Sequence, residues 1–231
     1  SKDIFKDRVI LVNPGIDISQ PLKPDEVGMF PNNAIQILGT ILHQNTFDVK
    51  IIDGRYVSVE DAIEQISILA NENLIFVGFA VMTIQVKWAY LVSQGIKKRK
   101  PDIKVVWGGV HPSLFPEQTV SDNHIDICVV NDCASTIVQI AYSLRDKTDI
   151  SMVPGLCYKL DNNIVKTQPN LVNDDFTNIP FIDFTIMNHK VYSRNNVVAA
   201  DSSINNEYKD CIVYPINTAL GCGFRCNFCI N

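Results

Sequence analysis

The chain has 231 residues, of which 46% are apolar and 19% charged, and its net charge is −5. These proportions belong to a folded globular protein, and an acidic chain without a broad basic face does not suit nucleic acid. No run approaches the ~20 apolar residues of a membrane span, and residues 1–6 lack the apolar core of a signal peptide, so a cytoplasmic location is expected.

In chain order, the β-branched run 9–12 predicts a first strand, closed by the turn Asn13-Pro14-Gly15. Ala34, Ile35, Leu38, Ile41 and Leu42 fall at helical spacing behind an Asn32 or Asn33 cap. Residues 49–53 read as a second strand that turns at Gly54. Ser58 caps a helix whose apolar face carries Ala62, Ile63, Ile66, Leu69 and Ala70. Residues 74–81 are almost continuously apolar, as in a strand covered on both faces. Trp88, Leu91, Val92 and Ile96 mark the next helix. Its end carries the basic run Lys97-Lys98-Arg99-Lys100, which complements a helix C-terminus. Strands over 103–107 and 125–130 and a helix over 135–144 complete residues 1–150.

Five strands alternating with helices predict a parallel, doubly wound α/β sheet of Rossmann or flavodoxin type. Ligands of such sheets bind outside the carboxyl ends of the strands. Here those ends offer Asn13, Asp53, Met82-Thr83, Gly108-Gly109-Val110-His111 and Asn131-Asp132. Gly108-Gly109 has two readings: a tight turn, or bare backbone on which a ligand lies flat. No Gly-x-Gly-x-x-Gly or Gly-x-x-x-x-Gly-Lys-Ser/Thr run occurs, so a dinucleotide or P-loop site has no support.

Residues 156–160 and 164–167, split by Asp161-Asn162-Asn163, predict a β-hairpin. It opens a linker over 151–210 rich in Asn, Asp and Pro, with Ile179-Pro180-Phe181-Ile182-Asp183 as a docking segment. Residues 211–231 then hold Cys222, Cys226 and Cys229 in a Cys-x-x-x-Cys-x-x-Cys loop with Gly221 and Gly223. Closely spaced thiolates suit an iron–sulfur cluster, leaving one iron without a protein ligand. They also suit zinc if a fourth ligand is found, Cys211 being a distant one. Cys128, Cys133 and Cys157 are scattered, and no disulfide framework is expected.

Several segments together resemble the cobalamin-binding domain that precedes many radical S-adenosylmethionine domains. They are Phe47-Asp48-Val49-Lys50-Ile51-Ile52-Asp53, Val77-Gly78-Phe79-Ala80-Val81-Met82-Thr83, Val106-Trp107-Gly108-Gly109-Val110-His111-Pro112-Ser113, Pro116-Glu117, and Val153-Pro154-Gly155-Leu156-Cys157-Tyr158. The resemblance implies cobalamin at the strand ends, with Asn13, Asp53, Met82, Thr83, Gly108, Gly109, Val110 and His111 as its contacts. It implies a [4Fe–4S] cluster on Cys222, Cys226 and Cys229, S-adenosylmethionine on the open iron, and Phe228 near the adenine. Residues 211–231 become the truncated start of a partial TIM barrel. The whole enzyme would perform radical methyl transfer or oxidative cyclisation on a small molecule, with an electron donor of flavodoxin or ferredoxin type. The chain, starting without Met and stopping two residues after Cys229, is expected to be an N-terminal fragment inactive alone.

The pattern is departed from in three places. Cobalamin domains of the mutase type carry Asp-x-His-x-x-Gly after the first strand, whereas this chain has Asn13-Pro14-Gly15-Ile16-Asp17; neither His43 nor His124 matches. Ala80 replaces a Ser or Thr, and Asn131-Asp132-Cys133-Ala134 replaces a Gly-Glu-x-Glu turn. These departures keep open a second reading, a docking or substrate-holding domain that binds no cobalamin.

Overall fold

The computed structural model describes residues 7–16, 21, 31–70, 72–131, 133–134, 136–161, 163–170, 179–187, 226–227 and 229. Strands β1 (Arg8–Asn13), β2 (Asp48–Asp53), β3 (Leu74–Ala80), β4 (Val105–Gly108) and β5 (Ile127–Val129) pair in parallel in the order β2-β1-β3-β4-β5. The expected doubly wound sheet is present. Its strand order reverses between β1 and β3, where a parallel sheet opens a crevice for ligands.

Side-chain alternation explains why β1 reads as one apolar run. Ile10 and Val12 join a core with Ile63, Ile66, Trp88 and Val92, from helices α2 (Val59–Leu69) and α3 (Val86–Arg99). Val9 and Leu11 join the opposite core with Ile35 and Leu42 of α1 (Asn33–Gln44) and Ile140 of α6 (Ile137–Asp146). Both faces are covered, so no polar alternation survives in the sequence.

The helix ends follow local chemistry. The Asn32 side chain accepts from the Ala34 and Ile35 N–H groups, and Ser58 accepts from Asp61 N–H, as N-caps do. The basic run ending α3 is engaged within the fold. Lys97 pairs with Asp126 at 2.7 Å, Arg99 with Glu60 at 2.7 Å, and Lys100 Nζ donates to the Ala70 carbonyl at 2.7 Å.

Two features differ from the sequence reading. Between β4 and β5 lie two short helices, α4 (Val110–Leu114) and α5 (Pro116–Ser121). Their lengths are too short to show a period, and Pro112 and Pro116 read as breakers. In addition, the hairpin strands β6 (Leu156–Leu160) and β7 (Asn163–Lys166) continue the sheet. Strand β6 runs antiparallel to β5, pairing Cys128 with Cys157, and Leu156 and Tyr158 are buried in the core. Residues 183–186 pack back on α1, with Asp183 N–H donating to Thr40 Oγ1 at 2.9 Å. Among the described residues, no helix is long and apolar enough to cross a membrane.

Candidate functional site

The carboxyl edge of the sheet is joined loop to loop by polar side chains. Asn13, ending β1, donates from Nδ2 to Asp53 Oδ1 at the end of β2, at 3.0 Å. Asn32 Nδ2 donates to Asn13 Oδ1 at 3.0 Å, so the α1 cap belongs to the same chain of bonds. Arg55 holds Asp53 from the other side, with Nη2 2.6 Å from Oδ2. Across the switch point, Gln85 Nε2 donates to the Pro14 carbonyl at 2.6 Å while its Oε1 accepts from Met82 N–H at 3.0 Å. Between β3 and β4, Val81 N–H donates to the Gly108 carbonyl at 2.7 Å and His111 N–H to the Val81 carbonyl at 3.0 Å. Thr83 Oγ1 and His111 Nδ1 meet at 3.3 Å. Burial lowers the His111 pKa below its ordinary value, which favours the neutral ring.

The glycines of this edge do different work. Gly109 has φ +98°, and a Cβ there would lie 2.9 Å from the Val81 nitrogen, so it makes the tight turn. Gly108 has room: an added Cβ would meet only Val129, at 3.8 Å. Thus the tight turn belongs to Gly109, whereas Gly108 is not required by sterics to be a glycine. Gly15 and Gly54 close over the buried indole of Trp88. A Cβ on Gly15 would overlap the Gly54 carbonyl oxygen and come 2.8 Å from Trp88 Nε1, which has no hydrogen-bond partner among the described residues.

Around this floor stand apolar side chains with much of their surface in solvent: Ile16 (51% exposed), Met82 (55%), Ile84 (64%) and Val110 (37%). An apolar rim over a bare backbone strip suits a large flat ligand with a polar fringe. Of the expected contacts, Met82, Thr83, Gly108, Gly109, Val110 and His111 lie together on the β3 and β4 turns. Asn13 and Asp53 lie on the β1 and β2 ends, but their side chains are engaged with each other and with Asn32 and Arg55. Gln85, Asn32 and Arg55 were not foreseen as parts of the edge. An isolated Gln or Arg in a turn carries no periodic signal, and Asn32 is legible only as a cap.

Of the expected cluster ligands, Cys226 and Cys229 are exposed, and Cys229 N–H donates to the Cys226 carbonyl at 3.0 Å, so one tight turn carries both. Cys222 and Phe228 lie outside the described residues. Cys128 and Cys157 are core residues, their thiols pushed up by burial; a suppressed thiolate suits neither metal nor redox chemistry.

Residues 27–141 match the B12 binding domain family. The anaerobic magnesium-protoporphyrin IX monomethyl ester cyclase of Synechocystis is 21% identical over 225 residues, 96% of this chain and 42% of that protein. An uncharacterized methyltransferase of Pyrococcus horikoshii is 24% identical over 183 residues, 79% of this chain and 37% of that protein. This chain therefore spans about two fifths of the curated relatives it matches. Among solved structures, the radical S-adenosylmethionine methyltransferase TsrM of Kitasatospora setae, with cobalamin and a [4Fe–4S] cluster bound, has a TM-score of 0.56 at 19% identity, covering 78% of this chain and 32% of that one. The cobalamin-dependent S-adenosylmethionine radical enzyme OxsB, with aqua-cobalamin and S-adenosylmethionine bound, has a TM-score of 0.59 at 18% identity, covering 72% and 22%. These likenesses support the fold.

Proposed function

We propose, from the match of residues 27–141 to the B12 binding domain family, that the protein is the cobalamin-holding part of a radical S-adenosylmethionine enzyme performing methyl transfer or oxidative cyclisation. The observation that carries this reading is the open strip at Gly108 at the end of β4, one strand away from the β1/β3 switch point, with Met82, Ile84 and Val110 exposed on the adjoining turns. The residues fit the cofactor. The Gly108 backbone admits a planar ring system where a side chain would otherwise stand. The rim supplies apolar contact, and Thr83 and His111 are hydrogen-bonding partners for an amide fringe.

Cobalamin, when bound, would supply a cobalt centre able to carry and transfer a methyl group. The chain's own residues have simpler tasks. The β3 and β4 turns support the ring, and the bonds among Asn13, Asp53, Asn32 and Arg55 keep the floor rigid. The apolar rim excludes water. Position 15, where the mutase-type motif has its histidine, is packed against Gly54 and Trp88. A histidine side chain placed there would have no room.

The cluster reading rests on the three-cysteine spacing and on the likeness to relatives. Cys222, Cys226 and Cys229 would hold a [4Fe–4S] cluster whose open iron takes S-adenosylmethionine. A flavodoxin- or ferredoxin-type donor would supply the electron, and a small molecule would be the substrate.

Anaerobic purification and reconstitution of the full-length protein tests both halves. A corrin absorption spectrum retained through gel filtration is the expected result, together with iron and sulfide. Iron and sulfide without retained corrin would instead favour the docking-domain reading. Stoichiometric zinc without iron would overturn the radical reading.

A further inference from the structure

The last ladder pair between β4 and β5 is Trp107 with Cys128. Beyond it, backbone bonding no longer sets the spacing of the two strands, and there the bare strip at Gly108 faces Val129. One side chain bridges the gap. Ser113 on α4 donates from Oγ to the Gly109 carbonyl at 2.8 Å, and the same oxygen accepts from Asn131 N–H at 2.9 Å. Asn131 has φ +65°, the left-handed region that asparagine adopts more readily than most residues other than glycine, and its N–H there is directed to the Ser113 hydroxyl. Asn131 also opens the turn that departs from the family's Gly-Glu-x-Glu.

We propose that the Ser113 hydroxyl is the positioning residue of the cobalamin platform: it fixes the β5 exit turn against the β4 exit turn at the width the ligand needs. This inference rests on the cobalamin reading above and adds to it a residue that acts without touching the ligand. The departing Asn131 turn is held from α4 by a hydroxyl that both donates and accepts, a role alanine cannot fill and threonine can.

The test compares the wild type with Ser113→Ala and Ser113→Thr in the full-length protein, using hydroxocobalamin titrated under anaerobic conditions and hydrogen exchange at the Asn131 amide. Losing both bonds at a site formed elsewhere should weaken cobalamin affinity by ~tenfold in Ser113→Ala. Asn131 should lose its exchange protection, and Ser113→Thr should restore both. Unchanged Asn131 protection in Ser113→Ala overturns the bridge. Lost protection with unchanged affinity overturns its positioning role. A wild type that binds no hydroxocobalamin overturns the cobalamin reading itself, and with it the ligand half of this inference.

Discussion

At the scale of single residues, Gly108 and Gly109 are neighbours that fail differently when changed. Gly109→Ala forces a Cβ against the Val81 backbone at a φ that L-residues rarely adopt. It should destabilise the fold by about 1–3 kcal/mol, read as a lower midpoint in denaturant unfolding. Gly108→Ala places its methyl 3.8 Å from Val129, an ordinary van der Waals contact that the fold accommodates. Its unfolding midpoint should stay near the wild type while cobalamin affinity falls, because the methyl stands where the ring would lie. The sequence shows two adjacent glycines after a strand and nothing to tell them apart; only the backbone conformation and the neighbouring Val81 do so. Asp53 was legible as a strand-end carboxylate, but its engagement by Arg55 two residues on was not.

At the scale of elements, the attachment of β2 and α1 to β1 depends on polar groups at both ends of the strands. Asn32 serves twice, as the α1 cap and as donor to Asn13. Asn32→Ala should therefore lower stability by about 1–2 kcal/mol, checked by thermal unfolding. At the other end of the pair, Asp48 lies between Arg8 and Lys50, at 2.6 and 2.7 Å. Burial pushes its pKa up, but the two cations outweigh that and hold it below the ordinary carboxylate value. A carboxylate with a lowered folded-state pKa binds fewer protons folded than unfolded. Its contribution is thus present above the unfolded value and lost as pH falls through the folded one. Asp48→Asn should flatten the acid limb of a stability-versus-pH profile and leave the alkaline limb unchanged. Strands β1 to β3 and their helices were legible because apolar runs and capping residues are local signals. Helices α4 and α5 were not, since a five- or six-residue helix with proline has no periodicity to read.

At the scale of the whole molecule, the hairpin changes what the α/β unit consists of. Strand β6 covers the edge of β5, and Leu156 is buried in the same core as Ile127 and Val129. A chain ended at residue 150 would expose that edge and remove Leu156 from the core, inviting edge-to-edge association. It should aggregate on size-exclusion chromatography, whereas a chain ended at residue 170 should run as a folded species. The hairpin itself was legible from its turn and alternation. Its place in the sheet was not, because antiparallel pairing to β5 is a long-range contact with no local signature.

Trp88 and Trp107 are the chain's two tryptophans, and both are buried in this unit. Trp107 donates from Nε1 to Ser93 Oγ at 3.0 Å, whereas Trp88 lies directly under Gly15 and Gly54 at the sheet edge. All tryptophan emission from these residues thus originates in the sheet and its helices, one source being set just below the proposed ligand floor. A corrin absorbs in the near ultraviolet where indoles emit, so its arrival should dim that emission by energy transfer. The protein thereby carries its own optical gauge of occupancy, usable without a label.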